Sequence, residues 1–313
     1  MSFIVEYKKI LSNGYKKIIY KHDKISNKYD FIPFHHSFHD KWDIDFADLL
    51  VKNLLNYCYY ENEIKILTTS HNIDELEKFL AKSVRDRLNR KTGNEKTDGL
   101  CGELLLDLIL RIENFSYKTL LCRPYYQQLN AKAELKNYDA LLFSENKNKI
   151  KLILGQVKTG DYKYCKEGIA KDLNTKYNNP YFGNAICYIA DREFSRSSST
   201  TLSNILSEIN NISLSTDDTT IKNKKTCEYI KANNIDVEIP CLLFYDSANI
   251  YDESSKMKDK LFAEVNKLIN YYKDKSFDIS DFNYEIIFYI FPAKSINCLR
   301  KKIMEYKEEK LNG

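Results

Sequence analysis

The sequence predicts an α/β protein in which a mixed central sheet is flanked by helices. Short apolar segments that fit buried strands alternate along the chain with longer segments of helical periodicity. Two of these strands are separated by the polar turn SENKNK and fit a β-hairpin. Of the 313 residues, 43% are hydrophobic and only 5 are proline, which is typical of a packed globular protein.

We expect an N-terminal α/β elaboration, residues 1–95, followed by a core, residues 96–313. Within the elaboration, two segments resemble short strands: residues 3–7 and 65–69. Two others have helical periodicity: residues 44–55 and 72–88. The elaboration is a candidate for binding a partner.

A histidine cluster in the N-terminal part invites interpretation as a metal site. Four potential ligands lie within six residues: His35, His36, His39 and Asp40. No second cluster elsewhere in the sequence would complete a geometry around a metal, so histidines without a metal are the favoured interpretation.

Three arginines follow at nearly helical spacing: Arg85, Arg87 and Arg90. They fit either a solvated helix end or a contact with phosphate, because arginine offers a planar donor fork to phosphate oxygens.

The segment TDGLCGELLLDLILRIENF, residues 97–115, predicts a largely buried helix because it is apolar on nearly all sides. Glu103, Asp107 and Arg111 follow one another at intervals of four residues and form one narrow polar stripe. This stripe fits either an exposed salt-bridged edge or an acid at a functional site. Glu103 becomes a site candidate only together with the strands that follow.

The hairpin strands carry the polar residues around which the chain is organised. Residues 137–143 place Asp139 before the apolar run ALLF, where an unsatisfied carboxylate would be costly. Residues 150–158 put Gln156 and Lys158 on one face, because strand side chains alternate with period two. In a hairpin, Asp139 and Gln156 come to the same end of the sheet.

This set of residues fits the metal-dependent hydrolysis of phosphodiester bonds. Mg²⁺ and Mn²⁺ prefer oxygen ligands. The oxygen donors available here are Glu103, Asp139, the Gln156 side chain and the backbone carbonyl of Val157. Lys158 would orient or help to deprotonate the attacking water and would face the charge that develops on the phosphoryl group.

The order Glu103, Asp139 and Gln156-x-Lys158, on helix, strand and strand, resembles the PD-(D/E)xK nuclease superfamily in its variant with glutamine at the third position. With GELLLDLILR, YDALLF, LILGQVKTG and IPCLLFYDS, roughly residues 97–310 more narrowly resemble the HamA effector nucleases of Hachiman anti-phage defence systems. Most of those sequences carry glutamate where this chain has Gln156, so weaker metal binding is expected.

The resemblance implies a restriction-endonuclease-like core that acts on double-stranded DNA with Mg²⁺ or Mn²⁺. It also implies a HamB-like helicase partner, which forms a heterodimer with the nuclease and holds it in check. Two alternatives stay open. A catalytically degenerate nuclease fold would bind DNA or the helicase without cleaving, and a restriction-like nuclease would cut without a helicase.

The remaining segments continue the alternation of helices and strands. A helix at residues 162–177 carries lysines that are either solvated or face DNA: Lys163, Lys166, Lys171 and Lys176. Further strands are predicted at residues 120–124, 185–191, 237–245 and 284–291. Further helices are predicted at residues 202–212, 257–272 and 295–310.

Composition and motifs argue against several other classes of protein. The net charge of +4 is compatible with DNA binding without indicating it. No apolar run is long enough to cross a bilayer and no signal peptide is evident, so we expect a cytoplasmic protein without a membrane partner. The glycine-rich phosphate loop of ATPases is missing from the sequence. The eight cysteines form no CxxC pair and are expected to be buried.

Overall fold

The computed structural model describes residues 2–88, 99–114, 118–121, 127–128, 131–134, 138–146, 149–178, 181–193 and 200–312. The strands in chain order are β1 (Ile19–Lys21), β2 (Ile25–Ser26), β3 (Asp30–His36), β4 (Lys118–Leu121), β5 (Gln127–Gln128), β6 (Ala131–Glu134), β7 (Ala140–Asn146), β8 (Lys149–Gly160), β9 (Asp236–Asp246) and β10 (Tyr284–Ala293). Within the described residues, eight of these strands form one sheet, and β5 pairs with β6 separately.

The main sheet is mixed. Its order is β1-β3-β10-β9-β8-β7-β4, with β2 also paired to β3. The central strands β3, β10, β9 and β8 run parallel to their neighbours in this group. At the edges, β1 is antiparallel to β3, and β7 is antiparallel to both β8 and β4. The predicted mixed α/β class is therefore confirmed.

Helices cover both faces of the sheet. Those of the first layer are α1 (Phe3–Ile18), α2 (Trp42–Lys52), α3 (Leu54–Cys58), α4 (Glu61–Leu67), α5 (Leu76–Arg87), α6 (Leu100–Asn114) and α12 (Ile296–Asn312). Those of the second layer are α7 (Tyr162–Thr175), α8 (Tyr181–Glu193), α9 (Thr200–Leu214), α10 (Thr219–Ala232) and α11 (Met257–Tyr272). Each layer forms a separate buried cluster with the sheet, which explains why the central strands are apolar on both faces.

The predicted hairpin is confirmed, with Ala140 of β7 opposite Gly155 of β8. The predicted helices of the core correspond to α6, α7, α9, α11 and α12. The strands predicted at residues 237–245 and 284–291 correspond to β9 and β10. The strand predicted at residues 120–124 begins earlier, as β4, and its residues 122–124 lie outside the described residues.

Three strand predictions are wrong, because the segments are helical. Residues 3–7 lie in α1, residues 65–69 lie in α4 and the turn after it, and residues 185–191 lie in α8. Apolar runs of this length fit the buried face of a helix as well as a strand. In α1, Phe3 and Tyr7 are one helical turn apart and are both buried, so the contact with the sheet decides between the two structures.

The N-terminal residues take part in the main sheet, because β3 pairs with β10 over Asp30 to Pro33. Helices α1 to α5 also pack in the same buried cluster as α6. The helices predicted at residues 44–55 and 72–88 are present as α2 with α3 and as α5. The boundary at residues 95 and 96 lies outside the described residues, and the partner-binding role stays a prediction.

The cysteines differ from expectation at one position. Of those that the structure describes, six are buried but Cys298 is exposed. Cys298 lies between Ile296 and Leu299 of α12, which take the face towards the core, so its side chain falls on the other face. Cys122 lies outside the described residues. In the part of the chain that the structure describes, no helix has the length and apolarity needed to cross a bilayer.

Candidate active site

The candidate site begins at Asp139, directly before β7. Its backbone N–H donates a hydrogen bond to the carbonyl oxygen of Gly155 at 3.0 Å. Its carboxylate oxygen Oδ2 accepts a bond from the backbone N–H of Val157 at 2.7 Å. Both bonds tie Asp139 to β8, so the carboxylate is fixed beside Gln156 at this end of the hairpin.

The side chain of Lys158 points from β8 to the face of the sheet that α7 covers. Its Nζ lies 2.6 Å from Oδ2 of Asp172 on α7. Its stem crosses Gly168, where an added Cβ would lie 3.0 Å from Cε of the lysine. The glycine therefore leaves the space through which the lysine reaches its acidic partner.

Gln156 points to the same face as Lys158 and is completely buried. Its Nε2 donates to the carbonyl oxygen of Gly155 at 3.1 Å. Its Oε1 accepts a hydrogen bond from Nζ of Lys176, at the end of α7, at 2.5 Å. Lys176 Nζ is also 3.3 Å from Asp172 Oδ2, so one carboxylate lies between two ammonium groups.

Glu103 approaches from α6, on the opposite face of the sheet. The helix lies unusually close to β8 at Gly102, where an added Cβ would lie 2.0 Å from Oγ1 of Thr159 and 2.9 Å from Cγ2 of Val157. Only glycine permits this approach, because both neighbours are β-branched and stiff. The hydroxyl of Tyr57 donates a hydrogen bond to Oε2 of Glu103.

The carboxyl of Asp139 is hard to ionise. Burial raises its pKa to about 6, although the ammonium of Lys176 opposes that rise. The negative charge of Glu103 acts in the same direction as burial, while the Val157 N–H bond and Lys158 favour ionisation. Asp139 is thus influenced by charged groups from both helical layers.

Lys158 remains a cation at neutral pH. Burial alone would lower its pKa, but the hydrogen bond and charge of Asp172 outweigh burial and raise the pKa above its usual value.

No side chain of the polar stripe on α6 is exposed, since Asp107 is buried and Glu103 and Arg111 are partly buried, so its interpretation as an exposed salt-bridged edge is wrong. Asp107 has no exposed surface. Its Oδ2 accepts hydrogen bonds from Nε of Arg111 at 3.0 Å and from Nδ2 of Asn53 at 2.7 Å. The ion pair was foreseeable from the spacing, but the contact of Asp107 with Asn53, between α2 and α3, depends on tertiary packing.

The N-terminal histidines make ordinary packing contacts. The ring of His36 stacks between Trp42 and Tyr251, with centroid distances of 4.2 and 4.0 Å. His35 shares a hydrogen bond of 2.9 Å with His22. Across the described ranges, no group of three or more His, Cys, Asp or Glu side chains could hold a metal ion.

The arginines near the end of α5 do not converge in the described part of the chain. Arg87 pairs with Glu63 at 3.2 Å and lies over the ring of Tyr59. Arg85 is exposed, and Arg90 lies outside the described residues, so the question of phosphate contact stays open.

Similarity to known proteins extends over nearly the whole chain. The HamA family model matches residues 13–306 of the 313. The chain belongs to the HamA family. Membership of the HamA family makes it a protein associated with Hachiman anti-phage defence. A comparison with curated proteins finds no match.

In this HamA-family chain, the site contains two residues that the sequence analysis did not assign, Asp172 and Lys176. Lys176 is one of several lysines on the α7 segment, and the sequence alone does not show which of them faces the sheet. A signal was nevertheless present, because Asp172 precedes Lys176 by four residues and such pairs meet on one side of a helix.

The donor chemistry of this HamA-family site fits Mg²⁺ or Mn²⁺. Glu103 and Asp139 are near enough to repel one another, and a divalent cation between them would relieve that repulsion. Since no three acids converge in the described residues, an ion would also need the Gln156 oxygen or a backbone oxygen. Val157 lies opposite Leu242 of β9, and its role as a carbonyl ligand stays a prediction.

Proposed function

We propose that this HamA-family chain is a metal-dependent deoxyribonuclease with a restriction-endonuclease-like, PD-(D/E)xK core that hydrolyses phosphodiester bonds in double-stranded DNA. The observation that carries the proposal is the meeting of Asp139, Gln156 and Lys158 at one end of the hairpin, with Glu103 of α6 close enough to Asp139 to raise its pKa. Acids, an amide oxygen and an ammonium group are the groups that phosphodiester hydrolysis requires.

Some residues of the site would bind the cation, and Lys158 would orient the attacking water or the phosphoryl group. Asp139 and Glu103 would hold the cation, together with the oxygen of Gln156 and the carbonyl of Val157. Mg²⁺ or Mn²⁺ bound there supplies Lewis-acid polarisation of the scissile phosphate and lowers the pKa of water. Because Asp172 keeps Lys158 protonated, Lys158 is better suited to donate hydrogen bonds to the attacking water or the phosphoryl oxygens than to act as a base.

The test is plasmid cleavage by purified protein with Mg²⁺ or Mn²⁺. Asp139→Ala and Lys158→Ala are each expected to reduce cleavage about 100-fold or more, the range found when one group that stabilises the transition state is removed. Asp217→Ala and Lys267→Ala remove an exposed acid and an exposed lysine and are the matched controls. Equal cleavage by the wild type and both site variants would exclude this site.

The same variants distinguish cleavage from binding alone. A degenerate fold would show no metal-dependent cleavage by the wild type, and its DNA affinity would be insensitive to Asp139→Ala. Because Asp139 is a buried acid of raised pKa beside two lysines, we favour the catalytic function.

We further propose that a HamB-like helicase binds the chain as a heterodimer and restrains the nuclease. Support comes from family membership and from the association with defence. Co-expression with a HamB-like helicase should yield one complex on size exclusion, and its cleavage should be lower than that of the free chain until DNA engages the helicase. Separate elution, with full activity in the mixture, would favour a nuclease that works without a helicase.

A further inference from the structure

Lys176 holds the oxygen atom that the proposed function assigns to the metal. Its Nζ lies 2.5 Å from Oε1 of Gln156, and the other end of that amide is committed to the carbonyl of Gly155. The glutamine therefore offers a single oxygen atom. A divalent cation and the ammonium group would have to share that oxygen, and two positive charges at one atom repel each other strongly.

Lys176 is held at this position by its surroundings. Its backbone carbonyl accepts a hydrogen bond from the hydroxyl of Tyr138 at 2.8 Å. Its ammonium group is 3.3 Å from Asp172, one turn earlier on α7, and its side chain is only 22% exposed. Lysine at the end of a helix is also favoured by the helix dipole. These contacts place a positive charge inside the site before any metal binds.

We propose that Lys176 is a resident counter-cation that occupies the Gln156 oxygen and competes with the divalent cation, so that metal binding requires its ammonium group to leave. This inference rests on the proposed function, because it takes Asp139 and Gln156 as metal ligands. Displacing the ammonium group leaves Lys176 with Asp172 as its partner, and the lysine stem is long and flexible enough for that movement.

Glutamine at position 156 holds the Lys176 ammonium group less strongly than glutamate would. A neutral amide binds an ammonium group through one hydrogen bond, whereas a glutamate would form a charge-assisted pair with it. Release of the Lys176 ammonium group therefore costs less with Gln156 than it would with glutamate, although a glutamate would also bind the metal ion more strongly.

The test measures metal affinity in the metal-stripped, full-length protein without DNA, by Mn²⁺ titration followed by electron paramagnetic resonance of the free ion. Lys176→Met keeps the length of the stem and removes the charge, and is expected to bind Mn²⁺ about tenfold more tightly because a close positive charge is lost. Lys171→Met makes the same chemical change at an exposed position of α7 and is expected to leave the affinity unchanged. Unchanged or weaker binding by Lys176→Met, or no binding at all, overturns the proposal.

A double-mutant cycle adds a second readout. Gln156→Glu should raise Mn²⁺ affinity by a larger factor when Lys176 is methionine than when it is lysine, because Lys176 otherwise pairs with the new carboxylate. Equal factors in the two backgrounds overturn the competition. Lys176→Gln, which retains a polar group without the charge, provides a second variant if Lys176→Met does not fold, and is likewise expected to bind Mn²⁺ more tightly than the wild type.

The Mn²⁺ affinity test can fail independently of the plasmid cleavage test for the proposed nuclease. Failure of the wild type to cleave plasmid DNA at saturating Mn²⁺ would reject the nuclease, even if Lys176→Met raises Mn²⁺ affinity. Conversely, normal cleavage with no affinity change in Lys176→Met would reject only the competition.

Discussion

Replacing Asp139 by asparagine is expected to stabilise the metal-free protein at neutral pH. Burial raises the pKa of the Asp139 carboxyl from 3.8 to about 6, so the fold disfavours its ionised form. Asparagine has nearly the same size and keeps an oxygen that can accept the hydrogen bond from the N–H of Val157. It carries no charge that must be removed from water.

The magnitude follows from the size of the pKa shift. A rise from 3.8 to about 6, at about 1.4 kcal/mol per unit, corresponds to about 3 kcal/mol. The folded protein holds this proton more tightly than the unfolded chain does, so the wild type loses stability as pH rises from about 4 to about 6. The asparagine variant lacks this loss, and its advantage should grow over that range and stay constant above it.

Urea unfolding followed by circular dichroism, in EDTA at several pH values between about 4 and 8, measures the difference in free energy of unfolding. Asp217→Asn, at an exposed acid, is the control and should show a difference that does not vary with pH. The reasoning would be refuted if the difference for Asp139→Asn also did not vary with pH, or if this variant were less stable than the wild type at pH 8. Mn²⁺ should stabilise the wild type more than Asp139→Asn, and equal stabilisation would remove Asp139 from the metal site.

Three further substitutions test how the site is held. Gly102→Ala should lower the free energy of unfolding by about 1–3 kcal/mol in urea, because its methyl group would push α6 away from β8; an unchanged value would contradict the close approach. Tyr57→Phe removes the hydrogen bond to Glu103 and should reduce plasmid cleavage about tenfold while changing stability by about 1 kcal/mol or less; full activity would show that Glu103 needs no such support. Gly168→Ala should keep or raise the free energy of unfolding, since alanine is more favourable than glycine in a helix by about 1 kcal/mol. The same substitution should lower cleavage because the added methyl group displaces Lys158. Unimpaired cleavage would show that the lysine stem adapts.

The sequence by itself determined the hairpin and the end of the sheet at which its polar residues meet. Period-two alternation puts Gln156 and Lys158 on one face whatever the rest of the chain does, because successive strand side chains point to opposite sides. The polar turn then reverses the direction of the chain, and the pairing of Ala140 with Gly155 brings Asp139 beside Gln156. Local geometry was enough for this part of the site.

Short apolar segments were decided only by tertiary packing. Residues 185–191 have the composition of a buried strand, but they form part of α8, which packs against α9 and α10 on the second face of the sheet. Over so few residues, strand and helix patterns bury nearly the same side chains, so the choice depends on which surface is available. The contact of buried Asp107 with Asn53, which lies 54 residues earlier in the chain, has the same origin.

Only the tertiary structure decided which residues of α7 belong to the site. Lys171 and Lys176 each follow an acid by four residues, and the rotation of the helix against β8 selects Lys176 and Asp172 to face inward. In that orientation Gly168 lies against the Lys158 stem, a contact between the helix and the strand before it that local periodicity does not specify. The sequence therefore supplied the chemistry of the hairpin, while the packing of a helix on a sheet supplied its charged neighbours.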